Sequence, residues 1–339
     1  MVVGAQPLSR NLSRIVAGFL LRRLAASLLL LLLVLTVLFF LVRRVPGDPT
    51  LMSEGSGLTP AQRERLQELY GLKRPVVAQY LDWVSSVSLR FDWGTSLSQQ
   101  RPVSAALLDA LPATTILAFA GLGVEYSLAL LLGIAAARRP GSGLDHAIRV
   151  GGLLLYSLPL FWLGLMAILL FAYLWPVLPS SHMHSVDVDL MSRGRRLLDL
   201  GRHLVLPALV MGFGVGGGTA RYVRARLLDV LGQDYIRTAR AKGLSERRVL
   251  WVHAMRNAAV PIVQLVGVTL PAVLSGALLI EVVFSWPGLG LLAFNAILAR
   301  DYPLILGATS FSATLVILGN LAADLAHAWL DPTVRREAA

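Results

Sequence analysis

Long uninterrupted apolar runs, rather than amphipathic stripes, dominate the hydrophobic pattern of this chain. The run over residues 24–42 is apolar on every side of a helix apart from Ser27 and Thr36. A soluble helix carries its apolar residues on one stripe, whereas about 20 consecutive apolar residues are the length that crosses a bilayer. Comparable runs cover residues 113–137, 150–174, 204–222, 261–284 and 304–330. The pattern predicts an all-α polytopic membrane protein with about six transmembrane helices.

The fourth run differs from the others because it is rich in glycine. Gly212, Gly214 and three consecutive glycines at 216–218 lie inside it. Glycine weakens a helix but allows neighbouring helices to approach closely within lipid. The bounds of this span are therefore the least sharply predicted.

A more polar region, residues 43–112, separates the first two runs and is predicted to be an extracytoplasmic helical region. Thr59 is placed to cap a helix that begins at Pro60 and ends at Gly71. A second helix is predicted to begin at Pro75.

Composition and charge support a membrane protein and argue against other classes. The chain is 55% hydrophobic and 15% charged, with a net charge of +11. Its arginines punctuate apolar segments instead of gathering on one soluble face, which argues against nucleic-acid binding. The sequence contains no cysteine, which excludes disulfides, thiolate metal sites and a cysteine nucleophile.

The distribution of arginine predicts that both termini are cytoplasmic, because basic residues are retained on that side of short loops. Segment 1–23 carries Arg22 and Arg23 next to the first span, and the tail is residues 331–339. The link between the fourth and fifth runs is also strongly basic. Four arginines between the third and fourth runs argue the other way: Arg193, Arg195, Arg196 and Arg202.

The segment 223–260 is too polar to span and rich in helix formers, so we expect short helices on the cytoplasmic surface. Asp234 is predicted to cap the first helix and Ser245 the second. Gly243 lies between them and permits a sharp turn. One face of the first helix is predicted to carry Arg237, Ala239 and Gly243.

Residues 232–243, continued by a second matching run up to Pro261, resemble the cytoplasmic coupling loop of binding-protein-dependent ABC importer permeases. The resemblance is to the branch for dipeptides, oligopeptides and nickel. Shorter matches are spread over nearly everything after Arg22, for example at residues 45–49 and 284–290. The combination is highly specific, although each short piece is weak.

The chain departs from the family pattern at one place. The loop pattern is Glu-Ala-Ala, three residues, then Gly; Ala239 and Gly243 fit it. Arg237 and Thr238 stand where the glutamate and the first alanine would be. The resemblance therefore does not imply an acidic docking contact at that point.

The resemblance implies the type I ABC importer permease fold, with residues 113–330 as its transmembrane domain. It also implies a second homologous permease subunit, two cytoplasmic ATP-binding subunits and an extracytoplasmic solute-binding protein in the bacterial inner membrane. The chain itself would bind no cofactor, since ATP and Mg belong to the ATPase subunits. The residues expected to couple to the ATPases are Asp234, Tyr235, Arg237, Thr238, Ala239, Arg240, Ala241, Lys242 and Gly243.

The residues independently support a separate energy source. No GxxxxGK[ST] phosphate loop occurs, and the only lysines, Lys73 and Lys242, do not follow glycine. An intramembrane enzyme is a rival interpretation, but neither GxSxG nor HExxH is present. An ion-coupled transporter is a second rival, although no convincing internal repeat supports it.

Polar and aromatic residues near the spans have two interpretations each. Glu125, in the second run, either lines the translocation path or hydrogen-bonds to a neighbouring helix. Trp286, Pro287 and Gly288 either form an external gate or contact with the binding protein, or place Trp286 as an anchor at the membrane interface.

A histidine pair after the third run is a weak metal signal. His182 and His184 are two residues apart and are followed by Asp187 and Asp189. Such a pair converges on a metal only in an extended loop, so a solvated external turn is strongly preferred and no metal site is predicted.

Overall fold

The computed structural model describes residues 8–44, 59, 61, 64 and 74–330. These residues are predominantly helical and form no strand beyond one isolated bridge, between Thr95 and Pro102. The all-α prediction is confirmed. The principal helices of the described residues are α1 Leu8–Arg44, α2 Val76–Ser85, α3 Val103–Arg138, α4 Gly143–Ser157, α5 Leu160–Ile168, α6 Arg193–Leu231, α7 Asp234–Ala241, α8 Met255–Val283, α9 Leu289–Leu298 and α10 Tyr302–Leu330.

Five helical segments of the described residues are long and apolar enough to cross a membrane, and one bent pair adds a sixth. The segments are Arg22–Arg44, Val103–Arg138, Arg193–Leu231, Glu246–Gly267 and Tyr302–Ala323. Their outward faces remain apolar: Leu29 on α1 and Phe119 on α3 are 69% and 62% exposed. Apolar area on this scale is stable only against lipid or another protein.

The predicted third span, over residues 150–174, contains a sharp break. The segment consists of α4 and α5, which meet at an angle of 98°. Pro159 causes the break, because it has no N–H and disfavours helical geometry in the residue before it. Leu158 accordingly has extended backbone angles, with φ −83° and ψ 138°. Beyond α5 the chain continues as a π-helical turn, Leu169–Leu174.

The helix of the fourth span, α6, extends beyond the predicted 204–222 at both ends, and the glycine run does not interrupt it. All four arginines that argued against the predicted orientation lie in the first turns of this helix. Close packing explains the continuity: a Cβ atom on Gly217 would lie 2.6 Å from Gly152 Cα on α4. The glycines therefore provide room for a neighbouring backbone, which compensates for their low helix propensity.

The chain forms two compact units. One contains the part up to Pro112 together with Gly288–Ile317, and the other contains Ala113–Pro287 and the part from Leu318 onward. In the first unit, the Asp301 carboxylate at the start of α10 is buried and accepts hydrogen bonds from both Ser96 Oγ (2.6 Å) and Ser98 Oγ (2.7 Å). These bonds attach the region before α3 to α10.

The predicted helices of residues 43–112 have different outcomes. The first, from Pro60 to Gly71, lies outside the described residues except for Thr59, Ala61 and Glu64. The second is confirmed as α2, with Pro75 as its N-cap residue.

Candidate coupling surface

Helix α7 is short and begins at the residue that was predicted to cap it. Gln233 is the N-cap residue, with extended backbone angles, and Asp234 is the first helical residue. The prediction that Asp234 caps this helix is wrong by one position. The carboxylate still lies in the first turn, where a negative charge is favourable. Arg237 lies on the next turn, with its Nη1 3.4 Å from Asp234 Oδ1.

The end of α7 confirms the predicted turn at Gly243. This residue has φ +77°, in the region that favours glycine. Its N–H donates to Arg240 O over 2.9 Å, and the N–H of Leu244 donates to Ala239 O over 3.4 Å. Two such bonds define a Schellman motif, which stops a helix sharply and satisfies its last carbonyls.

Only one side of α7 is buried, and it is not the predicted one. Ile236 and Ala239 are buried, whereas the side chain of Arg237 is 75% exposed. Residues three apart share a helix face, but residues two apart do not, since each residue turns the helix by about 100°. The predicted common face of Arg237, Ala239 and Gly243 is therefore wrong.

The buried side of α7 packs on three helices of the membrane bundle. Ile236 and Ala239 belong to one apolar cluster, the coupling cluster, whose other buried members are Ile134 and Ala137 of α3, Leu227 of α6, and Val249, Leu250, Ala254 and Ala258 in and before α8. Ile236 and Ala239 therefore share one apolar cluster with side chains of α3, α6 and α8.

Two polar contacts attach α7 to the chain that follows it. Asn257 Nδ2 donates to Tyr235 Oη over 2.7 Å. Arg240 makes two hydrogen bonds to the Glu246 carboxylate, of 2.8 and 3.3 Å. The remaining predicted coupling residues, Asp234, Arg237, Thr238, Ala241 and Lys242, are exposed.

The second predicted cap occupies its expected position. Ser245 is the N-cap residue of the turn Glu246–Arg248, although its side chain makes no capping hydrogen bond. This turn continues into a π-helical segment, Val249–Ala254, and then directly into α8. From Glu246 onward the chain is therefore continuously helical into a membrane helix.

An ion pair that the sequence did not reveal joins α4 to the end of α6 that leads to α7. Arg224 Nε and Nη2 donate to the two carboxylate oxygens of Asp145 over 2.6 and 2.7 Å. Asp145 is buried and also accepts the N–H of Gly141 over 2.9 Å. A planar guanidinium held by both oxygens defines the relative position of the two helices.

We expect Asp145→Ala to lower the midpoint of thermal unfolding in detergent by on the order of 5 °C, because it leaves the Arg224 guanidinium without its carboxylate. The double variant Asp145→Ala/Arg224→Ala should be no less stable than the single variant, since the two side chains act as one unit. Asp229→Asn removes an exposed partner of Arg226 on α6 and is the control, with little expected change. Additive losses in the double variant would contradict the assigned pairing.

Glu125 lies where α3 contacts α6. Its carboxylate is 1% exposed and accepts a hydrogen bond from Thr219 Oγ1 over 2.6 Å. Gly212 makes the approach possible, since a Cβ there would lie 2.9 Å from Glu125 N. This geometry corresponds to the second interpretation, a hydrogen bond between neighbouring helices, and gives the carboxylate almost no accessible surface.

Trp286 is fully buried, so it does not anchor the chain at a membrane interface. Its indole Nε1–H donates to Ala113 O at the start of the span part of α3, over 2.8 Å. The same helix forms a second buried contact nearby, because Thr114 Oγ1 donates to Glu281 Oε1 over 2.7 Å. Pro287 is exposed and Gly288 is buried. Sequence reasoning missed Glu281, although a carboxylate inside an apolar run was the available signal.

The histidine segment is attached to α6 through Asp199. His184 Nδ1 lies 3.1 Å from Asp199 Oδ2, and Ser185 Oγ donates to Asp199 Oδ1 over 2.6 Å. Within the described part of the chain, no group of three or more histidine, aspartate or glutamate side chains is arranged to hold a metal ion. His184 therefore has a structural partner within this chain.

Family profiles match most of the sequence. Residues 129–336 match the family described as "Binding-protein-dependent transport system inner membrane component", and residues 16–118 match the N-terminal part of such membrane components. The chain belongs to this family. It is thus a multi-pass inner-membrane permease component of a transport system and not an enzyme, as the sequence predicted.

Curated relatives are similar over almost their whole length. The oligopeptide transport system permease protein AppB of Bacillus subtilis (strain 168) is 35% identical over 320 residues, which cover 94% of this chain and 99% of that protein. The di/tripeptide transport system permease protein DppB of Pseudomonas aeruginosa (strain UCBPP-PA14) is 37% identical over 334 residues, with coverage of 94% and 99%. The dipeptide transport system permease protein DppB of Escherichia coli (strain K12) is 34% identical over 336 residues, again with 94% and 99% covered.

Proposed function

We propose that this chain forms half of the translocation pathway of an ATP-driven importer for dipeptides or oligopeptides. The peptide cargo is supported by the names of relatives that align over 94% of the chain. A second homologous permease subunit supplies the other half, and an extracytoplasmic solute-binding protein delivers the peptide. Two cytoplasmic ATPase subunits supply the energy, so ATP and Mg are bound by them and not by this chain.

The observation that carries the coupling role is the two-sided character of α7. One side is packed into the coupling cluster, and the other presents Asp234, Arg237, Thr238 and Lys242 to solvent. A helix fixed on three membrane helices and open on its outer side is suited to receive a motor subunit and to transmit its movement. In this proposal both termini and α7 are cytoplasmic.

For residues 286–288, we propose that only part of the segment contacts the binding protein. Because the Trp286 indole is buried, it would position the neighbouring turn and not contact a binding protein itself. Pro287 is the exposed member of the turn and would provide the contact. For Glu125 we propose a link between α3 and α6 that moves with the two helices.

The proposal is tested with proteoliposomes that contain the chain, its partner permease and both ATPase subunits. We expect uptake of a labelled tripeptide to require internal ATP and the binding protein, and to continue when ion gradients are collapsed. Uptake without the ATPase subunits, or uptake abolished by collapsing an ion gradient while ATP is present, would contradict it.

The coupling surface is tested by binding of the ATPase subunits to Arg237→Glu. Reversing an exposed charge in a docking surface is expected to weaken this binding roughly tenfold. Arg195→Glu, the same change in the first turn of α6, is the matched control and should bind like the unmodified chain. Equal binding by both variants would remove α7 from the docking surface.

A further inference from the structure

A groove with a volume of about 530 Å³ lies beside α7, at the ends of α3 and α6, and we call it the basic groove. Its apolar wall is formed by Leu228, Leu231, Leu250 and Trp251. Its cationic residues are Arg138, Arg139, Arg240 and Arg247. All of these residues belong to the same compact unit of the chain.

The positive charge of the basic groove is largely uncompensated. Glu246 is its one acidic lining residue among the described part of the chain, and Arg240 already binds it. Arg138, Arg139 and Arg247 form no ion pair with a described residue. Four guanidinium groups against one carboxylate leave three positive charges around a single concavity. An anionic occupant is favoured by simple charge complementarity.

The basic groove also lies at the ends of two helices that are candidate membrane spans. Arg138 is the last residue of α3, and Leu231 is the last residue of α6, and both helices are long and apolar enough to span the membrane. Trp251, in the wall, is 54% exposed. Tryptophan is enriched at membrane–water interfaces, where its amphipathic ring lies at the level of the headgroups.

We infer that the basic groove binds an anionic phospholipid, with the phosphate on the arginines and an acyl chain along the leucine and tryptophan wall. Guanidinium groups bind phosphate through charge-assisted hydrogen bonds, and basic pockets between membrane helices are suited to anionic headgroups. An acidic surface of a partner protein would bind the arginines but make no use of the apolar wall. An amphiphile contacts both the arginines and the apolar wall, so the groove favours an amphiphile. The inference rests on the membrane location of the chain and does not depend on the cargo or on ATP coupling.

The test compares lipid binding to the purified full chain in detergent by native mass spectrometry. Phosphatidylglycerol and phosphatidylcholine of the same chain length are the two probes, and we expect the first to bind more tightly. Arg139→Gln/Arg247→Gln should weaken phosphatidylglycerol binding roughly thirtyfold, because each juxtamembrane arginine contributes about fivefold in affinity. Phosphatidylcholine binding should be unchanged.

The matched control is Arg149→Gln/Arg248→Gln. It removes the same charge at two exposed positions that do not line the groove, one of them adjacent to Arg247. The control should retain phosphatidylglycerol binding, and the single variant Arg247→Gln should lose about fivefold, which provides a measurement if the double variant does not fold.

Three outcomes would overturn the inference: equal phosphatidylglycerol binding by the groove and control variants, equal affinity of the unmodified chain for both lipids, or competition by soluble glycerophosphate as effective as that by the lipid. Loss of ATPase binding in the groove variant with lipid binding intact would likewise assign the groove to a protein partner. None of these measurements uses transport, so the peptide-import proposal stands or fails separately.

Discussion

Gly217→Ala is expected to destabilise the membrane domain by about 3 kcal/mol, at the upper end of the usual cost of overpacking. The new methyl group would lie 2.6 Å from Gly152 Cα and 2.8 Å from Gly152 C, which are backbone atoms and cannot rotate away. Helices α4 and α6 must therefore separate along their contact. The gain of about 1 kcal/mol in helix propensity offsets only part of this cost.

The measurement is thermal unfolding of the purified chain in detergent, where the midpoint should fall by at least about 5 °C. Gly218→Ala is the matched control, because it makes the same change one residue later. A Cβ at that position would lie 3.9 Å from Tyr156 Cδ2, an ordinary contact. The control should be as stable as the unmodified chain or more stable by up to about 1 kcal/mol. Equal midpoints for the two variants would show that the close approach of α4 and α6 does not limit stability.

Ile236→Asp is expected to reduce ATP-driven peptide uptake to less than about a tenth of the uptake by the unmodified chain. A free-energy cost above about 1.4 kcal/mol for keeping α7 packed already shifts the equilibrium between packed and detached α7 tenfold. Ile236 is fully buried in the coupling cluster, and a carboxylate there would have no cationic partner. Burying an unpaired charge costs several kcal/mol. We therefore expect α7 to detach from the coupling cluster, so that the carboxylate remains in water. The proposed link between ATPase and membrane helices would then be lost.

Uptake in proteoliposomes and the amount of inserted chain are measured together for this variant. The amount should be near normal, because the apolar cluster around Leu117 and Ile280 does not include Ile236. Gln233→Asp introduces the same charge at the N-cap of α7, where aspartate is favoured, and should transport normally. Normal uptake by Ile236→Asp would remove the coupling cluster from the mechanism.

The difference between α4–α5 and α6 shows where sequence reasoning reaches its limit. Both runs contain helix-weakening residues. Pro159 lies at the break between α4 and α5, whereas Pro207 lies inside α6 without interrupting it. The glycines of α6 do not interrupt it either, because the neighbouring Gly152 backbone occupies the space that they leave. That partner is known only once the helices are packed.

The coupling surface likewise has features that the local sequence predicted and features that it did not. The turn at Gly243 and the polar character of α7 were predictable, since both depend on neighbouring residues. Its buried side was mispredicted at Arg237, because burial depends on which helices receive the segment. The ion pair between Asp145 and Arg224 joins residues 79 positions apart, and no local pattern identifies it.

The sequence by itself determined that the chain is a helical membrane protein, approximately where its spans lie, and which segment resembles a coupling loop. Hydrophobic length, turn chemistry and charge act over a few residues, and lipid requires each span to satisfy its own backbone hydrogen bonds. Tertiary structure alone decided which polar groups meet inside the bundle, which glycines contact a backbone, and which side of α7 is buried. Those outcomes depend on contacts between residues distant in the chain, for which a single sequence carries no local signal.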